Sequence, residues 1–131
     1  MAKAIHMMVR VSDEARSVDF YSKVLGLTIA ERREWPDFTL VYMRNPEADF
    51  EVELTVNKDR AEPYELGNGY GHVAFVVDDL AAEHARIASL GFAPKDIKQM
   101  SHDGKPFARF FFIEDPDGYK IEVLEKGGRF R

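Results

Sequence analysis

A chain of 131 residues with 45% apolar and 31% charged side chains has the size and composition of one globular domain with its own core. A net charge of -5 without a long basic run argues against nucleic acid and anionic membranes as partners. There is no cysteine to build disulfides or thiolate metal sites, and no stretch is long enough to span a bilayer. Residues 1–6 hold no apolar signal core, so a cytoplasmic location is the expectation.

Residues 4–11 alternate as a strand, with Ile5, Met7, Val9 and Val11 on one face and His6, Met8 and Arg10 on the other. Ser12 or Asp13 caps a helix of about three turns. Val18, Tyr21, Val24 and Leu25 follow its spacing, and Gly26 stops it. Residues 38–44 predict a second strand, Asn45-Pro46 a turn, and 50–56 a third strand. In the third strand Phe50, Val52, Leu54 and Val56 oppose Glu51, Glu53 and Thr55. A polar linker follows over 58–69.

The same order then returns. His72 to Val77 reads as a strand, and Asp78 or Asp79 caps a helix with Leu80, Ile87 and Leu90 on its buried side and Gly91 as its stop. Residues 107–113 and 119–124 read as strands joined by the turn Asp115-Pro116-Asp117-Gly118. Residues 95–108, which include His102 and Lys105, read as a loop. Each unit is predicted to be strand, helix, then three strands.

The repetition extends to single residues. His6 precedes Gly26 by 20 residues, and His72 precedes Gly91 by 19. Asn45-Pro46 leads to Glu53 as Asp115-Pro116 leads to Glu122. A period of about 66 residues implies two copies of one unit, about 4–57 and 70–126, within a single domain over 1–131.

Two histidines and two glutamates at matching places, expected mid-strand with apolar flanks, form a candidate metal set: His6, Glu53, His72 and Glu122. A carboxylate on the inner face of a sheet is costly unless it is paired or bound to metal. Mixed nitrogen and oxygen ligation suits nickel, cobalt, iron or zinc, with positions left open for water or substrate. Taken singly, such a histidine is a structural residue and such a glutamate a solvated one; the matched pairs favour the metal reading. Glu51 shares a face with Glu53, but Glu53 is the one that aligns with Glu122. His84, within a helix, and His102 are set aside. Arg10 points the way His6 does and is either a surface arginine or a fixed cation for a substrate carboxylate. Asn57 is either a turn residue or a hydrogen-bonding contact to a peptide-like ligand.

These residues make the chain resemble the glyoxalase I (lactoylglutathione lyase) family of the vicinal oxygen chelate superfamily. The matching stretches are 6–11, 17–27, 52–57, 64–67, 69–74 and 114–122, which together span nearly the whole chain. The resemblance implies an α+β fold of two βαβββ repeats forming a cupped mixed sheet, as in glyoxalase and bleomycin resistance proteins. It implies a homodimer with the metal at the subunit interface, His6 and Glu53 coming from one chain and His72 and Glu122 from the other. Glu122 matches the catalytic base, with Glu53 opposite it serving the other substrate epimer. Arg10 and Asn57 match positions that hold the glutathione part of the substrate. Short members of the family prefer nickel(II) or cobalt(II), with zinc(II) the alternative. The implied reaction isomerises the hemithioacetal of methylglyoxal and glutathione to S-lactoylglutathione through an enediolate. Residues 95–108 are bulkier than the small loop the family carries there, and Lys105 and Arg109 are further candidate substrate contacts. The competing readings are a sister epimerase, a dioxygenase, a thiol-dependent detoxification enzyme, and a metal-free small-molecule binding protein of the same fold.

Overall fold

A computed structural model describes residues 1–60 and 62–131 and divides the chain into two compact units, Met1–Leu66 and Gly67–Arg131. The first unit runs β1 (His6–Arg10), α1 (Glu14–Leu25), β2 (Thr28–Glu34), β3 (Phe38–Arg44) and β4 (Glu51–Asn57). Its sheet has the order β1-β4-β3-β2; β1 is parallel to β4 and the other pairs are antiparallel. The second unit runs β5 (Val73–Val77), α2 (Leu80–Ser89), β6 (Lys98–His102), β7 (Lys105–Glu114) and β8 (Lys120–Glu125). Its sheet has the order β5-β8-β7-β6, again with only the β5–β8 pair parallel. The repeat read from the sequence is therefore a repeat of topology.

Local chemistry sets the helix ends. Asp13 caps α1, its carboxylate accepting from the Arg16 amide at 3.0 Å, and Gly26 closes it in the left-handed region at φ 66°. Asp79 caps α2 in the same way through the Ala82 amide at 3.0 Å. One face of each sheet is closed by apolar residues. In the first unit Val9, Val41, Met43, Val52 and Leu54 are buried, with Phe20, Tyr21 and Val24 of α1. In the second, Phe111, Ile113, Ile121 and Val123 are buried, with Leu80 and Ile87 of α2. The other face carries the residues that alternate with these: His6, Met8 and Arg10 on β1, and Glu51, Glu53 and Thr55 on β4.

Three expectations are corrected. Residues 95–108 are not a loop: Asp103 and Gly104, at φ 51° and 74°, make a tight turn between β6 and β7, and His102 pairs with Lys105 across it. Two consecutive left-handed residues match the twist of the flanking strands, and Asp-Gly adopts them cheaply. Leu90 is 48% exposed, because the buried stripe of α2 runs through Leu80 and Ile87 and Leu90 is already the capping residue. His6 opens β1 and His72 immediately precedes β5, so neither stands mid-strand; parallel pairing with the neighbouring strand only begins there. Among the described residues no helix is long and apolar enough to cross a membrane.

Candidate metal centre

Register brings the histidine and glutamate of each unit together. Glu53 lies on β4, the strand flanked by β1 and β3, opposite Met8 and Tyr42. Glu122 lies on β8, opposite Ala74 and Phe112. In both units the histidine comes two residues before the glutamate's partner on the parallel strand, so both side chains rise from the same sheet face. His6 Nε2 is 2.9 Å from Glu53 Oε2, and His72 Nε2 is 3.6 Å from Glu122 Oε1. Glu53 is buried at 8% exposure, an expensive place for a carboxylate that served only solvent.

Within the chain these contacts form two separate pairs; no group of three or more His, Cys, Asp or Glu side chains among the described residues is placed to hold a metal. The first pair, at 2.9 Å, nevertheless has the spacing of half a coordination shell, and the second stands wider at 3.6 Å. Two donor atoms about 2.1 Å from one ion and at right angles to each other stand about 3 Å apart, and imidazole nitrogen with carboxylate oxygen is a donor set that first-row divalent ions accept.

The other candidates separate. Glu51, the cross-strand neighbour of His6, lies 3.8 Å from Arg44 Nε. Arg10 is exposed on β1 beside Thr55 of β4, on the same sheet face as His6. Asn57 ends β4 and donates to the Tyr64 hydroxyl at 3.0 Å, and Arg60 stacks over the Tyr64 ring at 4.0 Å. Asn57 thus belongs to a small organised corner of the first unit. Lys105 is exposed at the start of β7, whereas Arg109 is engaged with Glu125 at 2.7 Å. His84 meets the Lys95 carbonyl at 2.9 Å and the edge of Phe111, a structural role.

Sequence reasoning missed two residues here. Tyr42 on β3 and Phe112 on β7 each turn a ring edge-on to the imidazole of their unit, at centroid separations of 5.9 and 5.3 Å. Burial, then the negative charge of Glu53 beside it, push the Tyr42 phenol above its ordinary value. Alternation in residues 38–44 carried the signal: Thr39, Val41 and Met43 fill the core, which leaves Leu40 and Tyr42 on the Glu53 face.

The Glyoxalase/Bleomycin resistance protein/Dioxygenase superfamily matches the chain over residues 3–123. The chain belongs to this superfamily. Lactoylglutathione lyase of Neisseria meningitidis is 40% identical to it over 129 residues, covering 95% of this chain and 91% of that protein. Lactoylglutathione lyase of Escherichia coli O157:H7 is 37% identical over 132 residues, covering 95% and 93%. Among solved structures, the trypanothione-dependent glyoxalase I of Leishmania major superposes with a TM-score of 0.75 at 31% identity, covering 95% of this chain and 87% of that one. The paired βαβββ units are the fold of this superfamily, and likeness of this extent to glyoxalase I enzymes makes the chain an enzyme of that group.

Proposed function

We propose that this protein is a metal-dependent lactoylglutathione lyase that converts the hemithioacetal of methylglyoxal and glutathione into S-lactoylglutathione. The observation that carries the reading is the His–Glu contact built at the same register in both units of a chain similar to lactoylglutathione lyases throughout its length. In this reading the protein is a homodimer in the cytoplasm, and His6 and Glu53 of one protomer meet His72 and Glu122 of the other. A nickel(II) or cobalt(II) ion held by these four, or zinc(II) in their place, supplies a Lewis acid that spreads the charge developing on two adjacent substrate oxygens.

The protein's own residues do the rest. Glu122 removes the proton from the carbon that bears sulfur, and the electron pair moves into an enediolate. The same carboxyl returns the proton to the neighbouring carbon, so the reaction is an isomerisation that needs no oxidant or reductant. Glu53, related to Glu122 by the repeat, faces the substrate from the other side. Arg10 offers a guanidinium to a glutathione carboxylate, and the Asn57 amide a donor to its peptide backbone.

The test is thioester formation from methylglyoxal and glutathione, followed by ultraviolet absorbance. Metal-free protein is compared with protein reconstituted with nickel, cobalt or zinc. The expected result is little turnover without metal and strong turnover with nickel or cobalt. Tight metal binding without thioester formation would overturn the substrate assignment, and turnover indifferent to metal would overturn the site.

A further inference from the structure

The two half-sites repeat one register of histidine, glutamate and facing ring, yet the two rings differ by one oxygen atom. Tyr42 of β3 is the cross-strand partner of Glu53, and Phe112 of β7 is the cross-strand partner of Glu122. Each ring stands nearly perpendicular to its unit's imidazole, at 78° and 77°. Directly opposed residues in an antiparallel pair have Cβ atoms about 5 Å apart, within reach of a tyrosine hydroxyl for a glutamate on the same face. Only the Glu53 side has that hydroxyl. The pairs differ in tightness as well: the first closes to 2.9 Å with the Glu53 side chain 11% exposed, the second to 3.6 Å with the Glu122 side chain 17% exposed.

We propose that the Tyr42 hydroxyl donates a hydrogen bond to the Glu53 carboxylate and holds it in one orientation, making Glu53 the fixed carboxylate of the duplicated site and leaving Glu122 free to reorient and carry the proton. A phenol donating to a carboxylate makes a charge-assisted bond, stronger than one between neutral groups, and it occupies one of the oxygen lone pairs that a proton acceptor needs. Glu122 faces a phenylalanine ring, which offers no donor, so it keeps its rotational freedom. Tyr42 is a positioning residue: it acts through Glu53. The assignment of roles rests on the metal-dependent isomerase reading above; the Tyr42–Glu53 tether does not.

The tether is tested first in metal-free protein. Melting temperatures are compared for Tyr42→Phe, Glu53→Ala, which leaves no acceptor oxygen, and the double variant. Both single changes remove the same bond, so their shifts should be non-additive; additive shifts overturn the tether whether or not the protein binds metal. The asymmetry is then tested in cobalt-loaded protein. Tyr42→Phe should alter the visible cobalt bands and speed loss of the ion to a chelator about tenfold, the worth of one hydrogen bond. Phe112→Tyr supplies the missing donor to Glu122 and should lower kcat about tenfold, with KM changed far less. Unchanged cobalt bands in the first variant, or an unchanged kcat in the second, overturn the division of roles. Failure of the unaltered protein to bind cobalt or form the thioester would instead count against the function proposed above, and the metal-free cycle would still decide the tether.

Discussion

The turn before β8 sets the position of Glu122, and Asp115 holds that turn from inside. Asp115 is 4% exposed, and one carboxylate oxygen accepts from both the Asp117 and Tyr119 amides at 2.9 Å. Two backbone bonds accompany these, from Gly118 to the Asp115 carbonyl and from Asp115 to the Tyr119 carbonyl, each at 2.9 Å. Asp115→Ala removes the shared acceptor and leaves the backbone bonds in place. A hydrogen bond to a charged group contributes about 1.5–3 kcal/mol, and partial access of water to the freed amides offsets some of the loss, so the cost is about 2–4 kcal/mol. With an unfolding entropy of about 2.1 cal/mol/K per residue, a chain of 131 residues should lose roughly 7–15 °C of melting temperature. Calorimetry of the metal-free protein at neutral pH is the assay. Asp115→Asn, which keeps an acceptor oxygen, should recover most of the loss. β8 begins one residue after Tyr119, so Asp115→Ala should also weaken metal binding through Glu122. A fall in melting temperature below about 2 °C, less than one ordinary hydrogen bond is worth, would refute the assignment of the turn to Asp115.

Other outcomes follow from the same structure. Glu122→Gln should keep the native circular dichroism and lower turnover by about 10²–10⁴, the usual worth of a general base; activity within a few-fold of the parent would remove Glu122 from that role. Leu54→Ala opens a void on the apolar face of β4, at a fully buried position, and should cost about 2–5 kcal/mol in denaturant unfolding. On the surface, the hydrogen bond from Lys58 at 2.7 Å, with its charge, holds the Glu34 carboxyl below its ordinary value, and Arg32 adds to this. A depressed acid stabilises the fold above its ordinary value, and that contribution is lost as pH falls through the folded value. Lys58→Met should move the Glu34 titration upward in an NMR experiment, by less in high salt.

The parts of this molecule that were legible in the sequence are those where burial imposes a period. Residues 38–44 and 50–56 alternate because one face is core, and α1 shows its stripe because Tyr21 and Val24 must reach the sheet. The repeated histidine and glutamate fit that period, and they stood out because the same residue types recur at matching places in both units. Two strands escaped a definite position for the opposite reason: β2 and β6 are exposed along their whole length and bury nothing that would stamp a pattern on them. β6 is held by its hairpin, and the Asp103-Gly104 turn was the signal that could have located it. Tyr42 and Phe112 were hidden differently. An aromatic residue in a strand looks like core; alternation can set its face, but the register is needed to show that Glu53 and Glu122 stand directly opposite these two.

The exposed strand β2 has a consequence of another kind. It is one of the two outer strands of its sheet, and an outer strand offers unpaired backbone groups to any other extended chain. Here four successive residues, Glu31, Arg32, Arg33 and Glu34, are charged, and a bulge at Ala30 breaks the regular ladder just before them. β6, an outer strand of the second sheet, is guarded less by charge than by irregularity, its hairpin partner carrying Pro106 and a bulge at Phe107. A copy of the chain approaching β2 edge to edge would have to desolvate those charges and match a kinked backbone. The strands most open to solvent are therefore poor templates for the growth of a fibril.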